Sequence, residues 1–165
     1  MLKPWLLSEV AADLSARVIG ADVAFSAVGS DSRTIAAGQL FVALTGPRFD
    51  GHDYLAEVAA KGAVAALVER EVANAPLPQL LVADTRLALG QLGPLNRQAF
   101  TGPLAAVTGS SGKTSVKEML AAILRAGLNG AVLATRGNLN NDLGAPLTLL
   151  ELAPEHRAGM IELGA

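Results

Sequence analysis

The chain has 165 residues, 51% of them hydrophobic and 17% charged, with a formal net charge of −2 and no cysteine. That balance belongs to one or two folded domains and excludes a disordered chain, while the absence of a broad basic field argues against nucleic acid as a partner. The lack of cysteine excludes a disulfide framework, a thiolate metal site and a cysteine nucleophile within these residues, and fits a reducing cytoplasm.

The opening "MLKPWLLSEVAADLSARV" reaches Ser8, Glu9 and Asp13 before any long apolar run. It reads as a helix capped by Ser8 and running to Leu14, not as a signal peptide. The apolar runs are too short for a membrane span, so no membrane insertion is expected. "FVALTG", residues 41–46, reads as a strand ending in a glycine turn, and "DYLAEVAAKGA" as a helix with Leu55, Val58 and Ala59 on one face. A strand follows at "AVAALVE" from Ala63, then another at "QLLVAD", residues 79–84, with Thr85 as the cap of the next helix. Residues 1–100 thus read as a small mixed α/β domain.

Glycine and proline in "FTGP", residues 100–103, mark a boundary. "LAAVT", residues 104–108, is a strand. Val116, Met119, Leu120, Ile123 and Leu124 recur at helical spacing and mark a helix ending at Gly127. Then come the strand "AVLAT", the polar loop "RGNLNND", a short helix around "APLTLL" and a last strand "AGMIEL". Strand and helix in alternation predict parallel strands joined by crossovers, the start of a doubly wound domain over residues 101–165. About three strands are laid down where such sheets commonly run to five or six, so the chain reads as the N-terminal part of a longer enzyme.

"VTGSSGKTSVKEML", residues 107–120, carries the chemistry. The common phosphate loop, G-x-x-x-x-G-K-[ST], would put a glycine where Val107 stands; here a shortened version starts at Thr108 and Gly109. In the loop formed by Gly109, Ser110, Ser111, Gly112, Lys113, Thr114 and Ser115, glycines let backbone N–H groups approach an anion at the positive end of the following helix. Lys113 adds a mobile charge for β- and γ-phosphates. Thr114 stands where a hydroxyl ligand of Mg2+ is expected, and Glu162, closing an apolar strand, is the carboxylate that would complete the metal site. The plainer alternatives are a glycine turn opening a surface helix and a solvated acid at a strand end.

The short loop "TGSSGKTS" resembles that of the Mur ligases, ATP-dependent amide-forming enzymes of bacterial cell-wall precursor synthesis. "SDSRTIAAGQLFVALTGPRFDGHDYLAEVAAKGAVAALVE", residues 30–69, is similar to the uridine-nucleotide domain of that family. "GNLNNDLGAPLTLLELAPEH" followed by "IELGA" resembles the branch that adds D-alanyl-D-alanine. The resemblance implies a UDP-sugar domain at 1–100 and the beginning of a P-loop ATPase domain at 101–165. It implies activation of the UDP-MurNAc-tripeptide carboxylate by ATP to an acyl phosphate, which the amine of D-alanyl-D-alanine attacks. ATP and Mg2+ are the implied cofactors, and a cytoplasmic monomer the implied state.

On the family's motifs, Ser30, Ser32, Pro47, Arg48 and Phe49 fall where relatives hold the UDP part, with Arg33 supporting that loop. Asn138, Asn140, Asn141 and Asp142 form a loop that in the family faces substrate and γ-phosphate. Asn138 and Asn141 are taken as substrate-binding, and Asn141 with Lys113 as catalytic. His52 and His156 read as loop or surface residues without a role. The family's carbamylated lysine, further metal ligands, adenine contacts and C-terminal domain are expected beyond residue 165, so this stretch alone is expected to be inactive. The alternatives are the ligase adding the third amino acid, a folylpolyglutamate-type ligase with the same loop, and a non-catalytic nucleotide-binding module.

Overall fold

The computed structural model describes residues 1–164; Ala165, the last residue of the "IELGA" motif, lies outside the described residues. The chain forms two compact units, one of Lys3–Leu92 and one of Met1–Leu2 with Gly93 onward.

The first unit contains β1 (Trp5–Leu6), α1 (Leu7–Ala11), β2 (Arg17–Ile19), β3 (Ala24–Phe25), β4 (Ala27–Gly29), β5 (Gln39–Val42), β6 (Thr45–Gly46), β7 (Phe49–Asp50), a 3-10 turn at Gly51–Tyr54, α2 (Leu55–Ala60), β8 (Ala65–Val68) and β9 (Gln79–Leu81). Its main sheet has the order β2-β9-β8-β5-β4. The pairs β4–β5, β5–β8 and β8–β9 are parallel, and β2 runs antiparallel to β9. Leu40 to Val42 and Ala65 to Val68 are buried along their length, the unbroken apolar pattern of parallel strands covered on both faces. Phe41 and Val68 pack there with Leu55 and Val58 of α2.

Three local expectations need correction. Ser8 does not cap α1: it lies within the helix, and its N–H and hydroxyl both donate to Asp22 at 3.0 and 2.6 Å, while Glu9 accepts from the Leu6 N–H at 2.9 Å. The helix stops at Ala11, short of Leu14. Residues 41–46 are not one strand, because the Leu44 N–H turns back to the Val42 carbonyl at 2.9 Å; Thr45 and Gly46 then pair with Asp50 and Phe49 in a hairpin turning through Pro47 and Arg48. Asp84, not Thr85, caps α3 (Thr85–Gln98): its carboxylate accepts from the Leu87 N–H at 2.8 Å, while the Thr85 hydroxyl donates to Glu69 at 2.8 Å.

The division between units falls inside α3, next to Gly93 and Pro94. The second unit continues with β10 (Leu104–Val107), α4 (Lys113–Gly127), β11 (Ala131–Ala134), α5 (Gly144–Leu150) and β12 (His156–Glu162). Its three strands are parallel in the order β10-β12-β11. The chain is thus a mixed α/β protein with parallel sheets. Phe100, Leu133, Leu152 and Ile161 form the core of this unit. The fully buried Asn96 amide donates to the Leu149 and Leu152 carbonyls at 2.8 and 3.0 Å and accepts from the Leu2 N–H at 3.0 Å, which attaches Met1 and Leu2 to this unit.

The apolar stripe located α4 but not its buried face. Such a stripe ordinarily turns toward a core. Here Met119 and Ile123 are 58% and 65% exposed, and the residues α4 buries are Lys117 and Ala121. Among the described residues no helix is long and apolar enough to cross a membrane.

Candidate functional site

The register of β10 against β12 builds the site. Val107, the last residue of β10, pairs with Glu162, the last of β12, so the loop after one strand and the carboxylate ending the other meet at the same sheet edge. The loop reverses through Gly109 and Gly112, whose φ angles of +141° and +74° lie where side-chain-bearing residues are rarely found. Gly112 precedes α4 without a side-chain cap, so the first N–H groups of the helix have no capping acceptor from it. The Lys113 ammonium lies over the loop and donates to the Gly109 carbonyl at 2.5 Å.

Gly112, Lys113, Thr114 and Ser115 line a cavity of about 340 Å³ together with Asn138, Asn140 and Glu162. Gly109, Ser110 and Ser111 form the outer part of the loop and do not line it. The Thr114 hydroxyl donates to Glu162 Oε1 at 3.3 Å, and the Asn140 amide to the same oxygen at 2.8 Å. Glu162 is 1% exposed, and its Oε2 is buried with no hydrogen-bond partner among the described residues. The bond from Asn140 holds its carboxyl below the usual carboxylate range, against burial, which pushes it up; Thr114 and the charges of Lys117 and Lys113 add to the lowering.

Lys117 was not legible as a site residue. Its side chain is fully buried, donating to the Thr135 carbonyl at 2.6 Å and pairing with Glu118 at 2.9 Å, and it stands 3.9 Å from Glu162 Oε2. The Thr135 hydroxyl in turn accepts from the Glu162 N–H at 2.9 Å. β11, α4 and β12 are therefore tied together directly beneath the cavity.

The asparagines separate by role. Asn140 faces Glu162, and its carbonyl accepts from the Gly164 N–H at 2.6 Å, which anchors it to the exit of β12. Asn138 lines the cavity and is exposed. Asn141, singled out from the sequence as the catalytic one, is not brought into the cluster: its Oδ1 accepts from the Gly144 N–H at 2.8 Å, at the start of α5. Two asparagines at consecutive positions of one turn point different ways, and only the fold tells them apart.

In the first unit, Ser30, Ser32 and Phe49 are brought together with Asp31, Arg33 and Tyr54 around a cavity of about 470 Å³. Arg33, itself on the cavity, grips Asp31 in a two-pronged pair at 2.9 and 2.7 Å, which holds that carboxyl to about 2. The Lys61 ammonium donates to the Ser32 carbonyl at 2.7 Å. Pro47 and Arg48 sit exposed at the tip of the hairpin and do not line the cavity. His52 is not a surface residue: it is 3% exposed, with Nδ1 2.6 Å from Asp50 and Nε2 accepting from the Glu69 N–H at 3.0 Å. His156 is half-buried at the start of β12, its Nδ1 accepting from the Ala153 N–H at 3.0 Å.

Both units contain stretches that match known family models. Residues 24–95 match the model described as Mur ligase family, catalytic domain, and residues 107–165 that of the Mur ligase middle domain. The chain is 52% identical over 159 residues to UDP-N-acetylmuramoyl-tripeptide--D-alanyl-D-alanine ligase of Escherichia coli, covering 96% of this chain and 34% of that protein. A crystal structure of MurF from Acinetobacter baumannii superposes with a TM-score of 0.86 at 44% identity, covering 99% of this chain and 36% of that one. MurF ligase from Thermotoga maritima, solved in complex with ADP, superposes with a TM-score of 0.72 at 34% identity over 84% of this chain and 32% of that one. The chain spans about a third of the length of these relatives. With the shortened loop, the strand-end glutamate and the two matching domains in one order, the chain belongs to the Mur ligase family.

Proposed function

We propose that this chain is the uridine-nucleotide domain and the beginning of the ATP-binding domain of a ligase that adds D-alanyl-D-alanine to UDP-MurNAc-tripeptide. The observation that carries the reading is the meeting of Lys113, Thr114, Asn140 and Glu162 around one cavity at the carboxyl ends of parallel strands. In that reaction the terminal carboxylate oxygen bonds to the γ-phosphorus of ATP as ADP leaves. The dipeptide amine then bonds to the acyl carbon as phosphate leaves with the C–O bond, and the amine gives up a proton.

Residues 1–100 would hold the UDP part, with Ser30, Ser32 and Phe49 on the cavity and Pro47 and Arg48 on the hairpin above it. Residues 101–165 would hold ATP. Gly109 to Ser115 present backbone N–H groups to the phosphates, and Lys113 leaves the Gly109 carbonyl for an anion, where its charge opposes the negative charge shared over the γ-phosphoryl oxygens. Asn140, and Asn138 beside it, orient the groups facing that phosphate, a role for which Asn141 is less suited because its carbonyl oxygen already serves α5.

The donor set also fits Mg2+. A buried carboxylate oxygen without a hydrogen bond and a threonine hydroxyl beside that carboxylate are the one or two protein ligands that Mg2+ takes when phosphate and water oxygens complete its shell. Among the described residues no group of three or more His, Cys, Asp or Glu could form an all-protein cage. Thr114 and Glu162 would hold the ion, which when bound neutralises phosphate charge. The Lys117 side chain stands behind Glu162, and Thr135 fixes the Glu162 backbone.

Phosphate release by the complete protein with ATP, UDP-MurNAc-tripeptide and D-alanyl-D-alanine is the test. Release only with both substrates supports the reading. Turnover with UDP-MurNAc-dipeptide and a free amino acid would reassign it to the third-residue ligase, and ATP binding without any release would make it a nucleotide-binding module.

A further inference from the structure

The hairpin that carries Phe49 has little packing of its own. Phe49 is 55% exposed, and its ring lies over Gly46, where a Cβ would come within 2.6 Å of it. Yet Phe49 and Gly51, on either side of Asp50, both line the 470 Å³ cavity. The β6–β7 pairing and the Gly51 N–H bond to the Leu44 carbonyl at 2.8 Å close the hairpin on itself, and the side chain that ties it to the rest of the unit is Asp50. Its carboxylate accepts from the His52 N–H at 2.9 Å and from Arg70 at 2.7 Å, and meets His52 Nδ1 at 2.6 Å.

His52 carries that attachment into the core. The Glu69 N–H can only donate, so Nε2 facing it at 3.0 Å must be the unprotonated nitrogen and Nδ1 the one bearing hydrogen. Glu69 follows the last residue of β8, a buried strand of the main sheet, and its carboxylate accepts from the N–H and hydroxyl of Thr85, both at 2.8 Å. The imidazole therefore spans from the exposed hairpin to the end of a buried strand of the main sheet, and its side chain is 1% exposed, so water does not compete for either bond.

We propose that His52 is a positioning residue of the nucleotide site: its Nδ1–H tautomer latches Asp50 to the exit of β8, so that Phe49 and Gly51 are held in place before a ligand arrives. The proposal rests on the reading of this cavity as the uridine-nucleotide site. It extends that reading to a residue that touches no ligand. Ordering the hairpin in advance removes an entropic cost of binding, so the latch acts on affinity.

Two conservative variants divide the latch. His52→Asn puts an amide N–H where Nδ1 stands and keeps the bond to Asp50; His52→Gln puts a carbonyl oxygen near Nε2 and keeps the acceptor for Glu69. His52→Ala removes both. The probes are UDP by calorimetry, imidazole nitrogen spectra, and hydrogen exchange at the amides of residues 45–52. The expected results are an Nδ1–H imidazole, faster exchange in all variants, and UDP affinity lowered by about tenfold in His52→Ala, the factor that corresponds to losing one to two net hydrogen bonds. Asn and Gln should recover part of that affinity. An Nε2–H tautomer, or exchange at residues 45–52 unchanged in every variant, overturns the latch. UDP affinity equal to wild type in His52→Ala, with only the melting temperature lowered, reduces His52 to a structural residue and also overturns it. If the wild-type chain binds no UDP, the assignment of the cavity fails, while tautomer and exchange still decide whether the latch exists.

Discussion

Thr114 and Glu162, 48 residues apart in the chain, meet at 3.3 Å between hydroxyl and carboxylate oxygens, and the second carboxylate oxygen is left buried without a hydrogen bond, the Lys117 ammonium standing 3.9 Å from it. A polar atom in that state costs free energy unless something fills its place. A divalent cation is the group that would. Glu162→Gln keeps an acceptor for Asn140 and Thr114 but loses the charge, so the complete enzyme should need a higher Mg2+ concentration for half-maximal turnover. An unaltered Mg2+ titration would return Glu162 to a structural role. Glu162→Ala should in addition lower the melting temperature, because Lys117 then keeps only Glu118 as its ionic partner.

Lys113→Ala should lower turnover of the complete enzyme by at least roughly 100-fold, the scale for removing one transition-state charge contact. The fold should survive, since the ammonium lies over the loop and bonds only a carbonyl there. Unchanged phosphate release with an intact thermal transition would exclude the phosphate role.

Asn140 and Asn141 should part company on mutation. Asn141→Ala removes the acceptor for the Gly144 N–H at the start of α5 and should cost stability, about 0.5–2 kcal/mol by analogy with helix caps, with turnover largely kept. Asn140→Ala leaves Glu162 Oε1 with the Thr114 hydroxyl alone and should act mainly on turnover and on the Mg2+ requirement. Melting curves and kinetics of the two variants, side by side, decide the matter. The reverse pattern would restore Asn141 as the catalytic asparagine.

These two residues also show how far sequence reasoning reached. The elements flanking the loop and the meeting of "GKT" with "IELG" were legible because glycine, lysine, strand and helix periods are local signals. The orientation of neighbouring asparagines depends on the turn between β11 and α5, and both are equally good turn formers. Lys117 and His52 were missed for a similar reason. A histidine in "FDGHDY" reads as a loop or surface residue and a lysine on a helix carries no local sign of burial; only the Thr135 carbonyl just past β11 and the Glu69 N–H, brought in by tertiary packing, show them buried.

The Asp31 carboxyl, held to about 2 by the Arg33 guanidinium and N–H, gives a pH signature. Its folded value lies below the unfolded one near 4, so whatever it contributes is complete above about pH 4 and is lost as pH falls through about 2. Stability should change little, because the Arg33 side chain is 85% exposed and water screens the pair. The Arg33 amide resonance should instead titrate with its inflection near 2, and Asp31→Asn should abolish that step. An inflection near 4 would mean that the pair does not persist in solution.

Arg48 is the charge left over around the first cavity. Arg33 is committed to Asp31, Lys61 to Glu57 and the Ser32 carbonyl, and Arg70 to Asp50, whereas Arg48 forms no ion pair among the described residues and stands exposed at the hairpin tip. It can turn toward a diphosphate without breaking an existing bond, and the His52 latch would hold the hairpin from which it reaches. Arg48→Ala should therefore weaken UDP binding to this chain by about 1–3 kcal/mol, the range for losing a charge-assisted hydrogen bond, with the melting temperature unchanged. Uridine, which lacks the phosphates, should bind the variant and the wild type alike. Calorimetry showing equal UDP affinity in both would remove Arg48 from the site, and tight ATP binding with no UDP binding would overturn the division of labour between the two domains.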